Sequence, residues 1–259
     1  MNPTIIQRKT LYNKLWKIVQ PGSPAQLDMA AEEHKFNFYN EMGFYLPIEP
    51  DTTPRIYQLC QSIKERLHVR SNVLFCLGNR TNIAASCNEG NDDYPSVIRI
   101  SSGAVNTLSD SELSFIIGHE LGHVIMHNLS LDFFYEKHFE TEQPPHDVAH
   151  LYHVHRLLSE LEADRYGYLA CGNLEDFVSF KYRSTGGIDV QKFGVPASMF
   201  LEANHRQAQL FMNGGWLGDT HPANALRIEA IHAFATSTSV YELNTRMEPI
   251  IQSIFNCND

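Results

Sequence analysis

Residues 109–123 read SDSELSFIIGHELGH, and this stretch decides the fold around the centre of the chain. Ser109 and Glu112 have the S-x-x-E spacing of a capping box, in which each side chain binds the backbone N–H of the other residue at a helix N-terminus. Apolar residues follow at once. The pattern therefore predicts a helix that begins here and runs toward His127.

The predicted helix carries His119, Glu120 and His123 in the spacing H-E-x-x-H. Residues four apart are about 40° apart around a helix of 3.6 residues per turn, so both imidazoles project from one face and can bind one metal ion. Glu120 lies one step around the helix, where a carboxylate can accept a proton from a water on that ion. Because a catalytic zinc takes three protein ligands and leaves one position open, the pattern requires a third ligand elsewhere.

A third ligand has two possible sources in the sequence. The metzincin class would place a histidine six residues after His123, but Leu129 occupies that position, so this class is excluded. A carboxylate on a second helix is the alternative. Glu160 and Asp164 are four apart and share a helix face, whereas Glu162 is about 200° around from Glu160. We therefore predict Glu160 as the metal ligand and Asp164 as a carboxylate that orients a ligating histidine.

Three segments taken together resemble the M48-type gluzincin peptidases, which include the CAAX prenyl proteases, the HtpX heat-shock proteases and the BepA-like proteases. The segments are residues 112–123, residues 160–167, and Thr220-His221-Pro222 with Arg227-Ile228. The resemblance covers residues 72–232. It implies an α+β fold, mainly helical and zincin-like, with a small β-sheet packed beside the HExxH helix.

The same resemblance implies a zinc-dependent endopeptidase with a single zinc ion. The residues implied to hold the ion are His119, His123 and Glu160. Glu120 is implied as the general base, and His221 and Arg227 are implied to lie near the active site. Peptides or proteins are the implied substrates, and a role in protein quality control is the implied cellular setting.

A tetrahedral oxyanion formed during peptide hydrolysis needs a hydrogen-bond donor. His221 is our first candidate for this donor, and Tyr166 and Arg227 are the alternatives. His221 also follows three glycines within residues 214–218, which allow unusual backbone angles. A second hypothesis is therefore that His221 occupies the open zinc position at rest and moves away to admit substrate.

Two short segments rich in Val, Ile and Phe predict strands at residues 72–77 and 96–101. We expect the second of these to be an edge strand beside the metal, where an extended peptide can pair with it through main-chain hydrogen bonds. The predicted substrate-binding residues are Val97, Ile98, Arg99 and Ile100. Such pairing places little demand on side chains, so it favours unfolded or extended protein segments as substrates.

The N-terminal stretch differs in charge from the rest of the chain. No acidic residue precedes Asp28, while four basic residues accompany Leu11 and Leu15, which lie at helical spacing. We predict that residues 1–50 form an N-terminal helical extension and that residues 51–259 form the M48-like peptidase domain. The first helix is interpreted as docked on the acidic remainder of the chain, and weak contact of residues 1–20 with a membrane surface is the alternative.

Composition excludes several classes of protein. The chain has 259 residues, of which 43% are apolar and 19% charged, and its net charge is −10. A chain of this length can bury a core without metal or disulfide bonds to stabilise it. The acidic balance disfavours nucleic acid as a partner. No apolar run approaches 18 residues and no signal peptide is visible, which predicts a cytoplasmic protein of the soluble branch of the family. Five widely spaced cysteines without a CxxC pair predict reduced core thiols.

Other histidines are interpreted without a metal. His127 lies one turn beyond His123 and would be too far from the same ion. A stack at helical spacing, formed by His146, His150 and His153, is interpreted as a solvated helix face rather than a second metal site.

Two rival functions remain open at this stage. The first is a catalytically silent or latched metal-binding module with a chaperone-like or partner-binding role, and the second is a cell-wall amidase that uses the same motif. The presence of Glu120 favours the peptidase, because a silent relative would often lack this base.

Overall fold

The structure is a computed structural model that describes residues 2–189, 192, 194, 196–213 and 221–256. Helices dominate these ranges and a small sheet accompanies them, which confirms the predicted mainly helical α+β class. The strands are β1 (Leu46–Pro47), β2 (Val73–Gly78), β3 (Ala85–Asn88) and β4 (Ser96–Ser101). The helices are α1 (Pro3–Val19), α2 (Pro24–Phe44), α3 (Pro54–Arg66), α4 (Ser102–Thr107), α5 (Asp110–Met126), α6 (Asn128–His138), α7 (His146–Cys171), α8 (Leu174–Gly186), α9 (Ala197–Met212), α10 (Asn224–Thr236) and α11 (Val240–Phe255).

The chain divides into two compact units. We call residues 19–141 and 166–172 the sheet unit, and residues 1–18, 142–165 and 173–259 the helical unit. The boundary between the two units at residue 18 therefore falls within the segment predicted as an N-terminal extension, residues 1–50. Helix α7 is continuous and supplies residues to both units.

The sheet has the strand order β1-β2-β4-β3. Strand β4 pairs in parallel with β2, where Ile98 lies opposite Phe75, and antiparallel with β3, where Ile98 lies opposite Cys87. The expectation that residues 97–100 form an edge strand is therefore wrong, because neighbours occupy both sides of β4. The outer strand on this side of the sheet is β3, which the sequence analysis missed.

Helix α5 begins as its capping box predicts. The hydroxyl of Ser109 accepts a hydrogen bond from the backbone N–H of Glu112 at 3.2 Å, and the Glu112 carboxylate accepts one from the backbone N–H of Ser109 at 2.9 Å. The helix packs against β3, β4 and α3 within the sheet unit. Because α5 is buried on nearly all sides, its sequence is apolar around most of its circumference.

Two glycines allow α5 to approach the C-terminal part of α7 within the sheet unit. A Cβ atom at Gly118 would lie 2.4 Å from the Cβ of Ala170, and a Cβ atom at Gly167 would lie 2.8 Å from the carbonyl oxygen of Phe115. Both distances are too short for real carbon contacts. The two helices therefore touch through their main chains, directly beside His119.

We expect Gly118→Ala to lower the free energy of unfolding by about 1–3 kcal/mol, because the added methyl group forces the two packed helices apart. Gly43→Ala is the matched control, since nothing lies within 4 Å of a Cβ at this position in α2. The control should be neutral or should stabilise by about 0.5–1 kcal/mol through helix propensity. Urea unfolding measures both variants, and equal midpoints would contradict the close approach.

The helical unit has an apolar core of its own. Leu11 of α1 is buried there together with residues of α7, α9, α10 and α11. Leu15 is fully buried as well. The apolar face of α1 is consequently packed within the protein, as the docking interpretation expects.

The described cysteines form no disulfide. Cys60 and Cys76 are buried, and burial raises the pKa of each thiol to about 12. Cys87 and Cys171 are partly buried, whereas Cys257 lies outside the described residues. None of the described helices combines the length and the apolar composition that crossing a bilayer requires.

Candidate metal centre

The two histidines of the HExxH motif face each other on α5. The Nε2 atoms of His119 and His123 lie 3.2 Å apart, and the rings are nearly perpendicular at 82°. Two nitrogens bound to one tetrahedral zinc at about 2.0–2.1 Å lie about 3.3 Å from each other. The observed separation therefore suits two ligands of a single zinc ion.

Glu160 lies on α7 in the helical unit, whereas His119 and His123 lie on α5 in the sheet unit. Two imidazoles and one carboxylate are a donor set that catalytic zinc uses in proteins. The chemistry of the residues present thus fits the metal that the sequence predicts.

Glu120 lies on α5 between the two histidines, and only 8% of the residue is exposed. The predicted base is therefore a largely buried carboxylate adjacent in sequence to a candidate ligand. This position separates it from bulk water, where a carboxylate would be surrounded by competing hydrogen-bond donors.

Asp164 and Arg227 form a bidentate ion pair in the helical unit. Arg227 donates from Nε to Oδ2 of Asp164 at 2.6 Å and from Nη2 to Oδ1 at 2.8 Å, and Asp164 is fully buried. The Nη2 atom of Arg227 also lies 3.5 Å from Oε2 of Glu160. Arg227, on α10, therefore contacts both Asp164 and Glu160, the two carboxylates predicted to share a face of α7. Asp164 thus accepts hydrogen bonds from Arg227.

Lys181 on α8 is a second cation beside Asp164, and the sequence analysis missed it. Its Nζ lies 3.4 Å from Oδ1 of Asp164, and the side chain is 4% exposed. Burial, followed by the charge of Arg227, lowers the pKa of Lys181 to about 8. The signal in the sequence is a lone lysine among apolar residues, at FVSFKY in residues 177–182.

His221 lies next to Glu160. Its Nε2 atom is 3.3 Å from Oε2 of Glu160, and about half of its side chain is exposed. The predicted glycine loop before it, and Thr220, lie outside the described residues. The remaining candidate donor, Tyr166, is on α7, and its carbonyl oxygen would be 3.0 Å from a Cβ at Gly118. Tyr166 is therefore next to α5 through its main chain.

Glu89 connects the end of β3 to the end of α5. Its buried carboxylate binds Nδ1 of His127 at 2.7 Å and accepts the backbone N–H of Ser130 at 2.8 Å, while its carbonyl oxygen lies 2.7 Å from Nδ1 of His34. His127 has a left-handed backbone, with φ 53°, where α5 ends and α6 begins. A nitrogen of His127 is thus occupied by Glu89.

The hydrogen bond to Glu89 raises the pKa of His127. A pKa raised above the unfolded value of about 6.5 means that the bond stabilises the fold fully below that pH and that this contribution is lost as pH rises through the folded-state value. We therefore expect His127→Gln to lower the urea midpoint more at pH 6 than at pH 9. His146→Gln, at an exposed position of α7, is the control. An equal loss at both pH values for His127→Gln would contradict the bond.

One segment of the chain is similar to known peptidases. The profile of peptidase family M48 matches residues 90–137, which contain β4, α4 and α5 and most of α6. A protease HtpX homologue from Trichormus variabilis is 27% identical over 79 residues. That alignment covers 30% of this chain and 27% of the relative, so the chain matches about a quarter of the relative's length. No solved structure matches the chain.

The matched segment and the geometry agree. The family profile covers all of α5, including His119, Glu120 and His123. The profile and the HtpX homologue both point to peptidases. Residues 90–137, which carry the HExxH helix, are therefore similar to peptidase family M48.

Proposed function

We propose that this protein is a zinc-dependent endopeptidase that hydrolyses peptide bonds in extended or unfolded protein segments. The observation that supports the proposal most is the 3.2 Å separation of the Nε2 atoms of His119 and His123 on α5, with Glu120 on the same helix. The match of this helix to a peptidase family gives these residues their chemical context. Removal of misfolded protein is the cellular role that this activity would serve.

In the proposed reaction, a bound zinc would polarise the scissile carbonyl and lower the pKa of the attacking water. Glu120 accepts the proton from that water and then passes it to the leaving amine. Its burial keeps the carboxylate beside the reacting groups rather than in bulk solvent. The base and two of the three proposed ligands therefore come from α5, and the third, Glu160, comes from α7.

The surrounding charges hold Glu160 in place. Arg227 lies 3.5 Å from Glu160 and is itself fixed by its bidentate bond to the buried Asp164. Asp164 therefore acts on the proposed ligand through Arg227, and it need not touch a histidine to do so. His221, whose Nε2 atom lies 3.3 Å from Oε2 of Glu160, is the proposed donor of a hydrogen bond to the oxyanion.

Substrate binding is proposed at the outer strand β3 rather than at β4. An extended peptide adds to the edge of a sheet through main-chain hydrogen bonds, and β3 is the strand at that edge beside α5. The neighbouring Val97, Ile98, Arg99 and Ile100 support β3 from the interior of the sheet. Their role is thus to shape the binding edge without pairing with the peptide.

A latched form of the same metal centre is the second candidate, and the contact between His221 and Glu160 favours it. In this form His221 would complete the ligand set at rest, and the protein would bind partners without cleaving them. Both candidates use the same ion. They differ in whether substrate is hydrolysed.

The proposal is tested by removing the metal. We expect a chelator such as 1,10-phenanthroline to abolish cleavage of casein, an unfolded protein, and we expect one equivalent of Zn²⁺ but not Mg²⁺ to restore it, because a nitrogen-rich site favours zinc. Cleavage is followed by gel electrophoresis at constant protein concentration. The non-chelating isomer 1,7-phenanthroline is the control for direct inhibition. Casein cleavage that persists in a metal-free sample would refute the proposal.

A further inference from the structure

A second pair of helices in the helical unit carries metal-binding residue types. Glu202 and His205 on α9, and Glu229 and His232 on α10, both have the spacing E-x-x-H. Residues three apart lie on the same helix face. Helices α9 and α10 pack against each other within this unit. None of these residues has a part in the proposed peptide hydrolysis.

Two of the four residues meet across the helix pair. Nδ1 of His205 lies 3.2 Å from Oε1 of Glu229. Glu229 is 8% exposed, and its Oε2 atom has no hydrogen-bond partner in the part of the chain that the structure describes. A buried polar atom without a partner is destabilising, because it has lost its hydrogen bonds to water without replacing them. This carboxylate is therefore held inside the protein with one oxygen available to a ligand.

His232 supplies a third donor. Its Nδ1 atom is buried and, within the described ranges, is likewise without a hydrogen-bond partner. Burial, with a smaller contribution from Arg246, lowers the pKa of His232, so the ring is neutral and keeps a lone pair at neutral pH. The charge of Glu229 acts to raise the pKa of His232, and that of His205 acts to lower it.

A surface cavity of about 440 Å³ gives access to these groups. Its lining residues are Ser198, Leu201, Glu202, His205, Arg206 and His232. The cavity places solvent next to both imidazoles, and Glu229 contacts one of them, His205, at 3.2 Å. A small hydrated ion can therefore reach His205 and His232 from solvent.

We propose that His205, Glu229 and His232 bind a second divalent transition-metal ion, with zinc as the preferred metal. Imidazole nitrogen suits zinc, and a carboxylate oxygen completes a common ligand set. The donor atoms of these three residues do not all lie within 4.8 Å of one another in the structure. Binding of the ion would therefore require rotation of the His232 side chain, and Glu202 at the cavity wall adds negative charge.

The test measures zinc binding to the full chain by isothermal titration calorimetry after metal removal, with metal content determined after gel filtration. The wild type should bind two ions. His205→Ala should bind one ion as the wild type does, and its affinity for the second should be at least about tenfold weaker. Even loss of a group that only supports a metal ligand lowers metal affinity about 10–100-fold. His205 is more than half exposed, so its loss should leave the fold intact. His150→Ala, from the histidine stack on α7, is the matched control and should bind two.

The variant His123→Ala distinguishes the proposed catalytic centre from this site. It should retain one ion, and the additional change His205→Ala should remove that ion. Zinc binding by His205→Ala that equals the wild type in number and affinity would overturn the second site and leave the peptidase proposal standing. Loss of the second ion from His150→Ala but not from His205→Ala would overturn it too. An ion count that His123→Ala does not lower would instead count against the catalytic centre.

Discussion

Replacing Glu120 by glutamine is expected to lower casein turnover by about 100- to 10,000-fold without changing zinc content. The range follows from the usual contribution of a positioned general base. Glutamine has the shape of glutamate but does not accept the proton of the attacking water. Because Glu120 is not one of the proposed ligands, the metal should remain bound. Initial cleavage rates and metal content, measured on the same preparations, give both quantities.

Glu112→Gln supplies a control for the loss of a buried carboxylate on the same helix. Glu112 is 3% exposed and serves the capping box, so its replacement should cost stability and leave turnover per folded molecule nearly unchanged. A silent binding module predicts a different result for Glu120→Gln. If casein stays intact with both the wild type and this variant, while both bind zinc equally, then the peptidase proposal fails and a binding role is favoured.

Replacing Arg227 by alanine is expected to lower the free energy of unfolding by about 3–5 kcal/mol. Asp164 is fully buried, and loss of the guanidinium takes from it two hydrogen bonds and a full positive charge. Removal of one partner of a buried ion pair has an effect of this size because the other charge stays in a medium that solvates it poorly. Urea unfolding monitored by circular dichroism provides the measurement.

Arg227→Lys separates charge from geometry in this pair. Lysine keeps the positive charge but cannot make two parallel hydrogen bonds, so its stability should fall between those of the wild type and the alanine variant. In an Asp164→Asn background the effect of Arg227→Ala should shrink, because the charge that it leaves behind is gone. An alanine variant within about 0.5 kcal/mol of the wild type would show that Asp164 does not depend on Arg227.

Local signals in the sequence predicted the centre of the fold well. The start of α5 follows from Ser109 and Glu112, since a capping box involves only residues three apart. The strand at residues 96–101 has the predicted bounds because its Val and Ile content is a local property. The HExxH pair is likewise local, and its 3.2 Å separation follows from the pitch of one helix.

Features that depend on contacts between distant parts of the chain could not be predicted from local sequence patterns. Strand β3, Ala-Ser-Cys-Asn at residues 85–88, has little of the β-branched pattern that marks strands, and it is a strand because β4 pairs with it. Whether β4 is an edge or an inner strand depends on that same pairing. Helix spacing placed Glu160 and Asp164 on one face, but their partner Arg227 is 63 residues from Asp164. No periodicity within one helix specifies a contact of that kind.

The buried thiols of Cys60 and Cys76 are built-in probes of transient opening of the sheet unit. Thiol reagents attack the thiolate, so burial and a pKa of about 12 protect both groups as long as the sheet unit stays closed. Each labelling event at these two sites then records one transient exposure of this unit, as hydrogen exchange does for amides. Metal-free and metal-loaded samples compared in this way would yield opening free energies under native conditions, and no dye or engineered probe is needed.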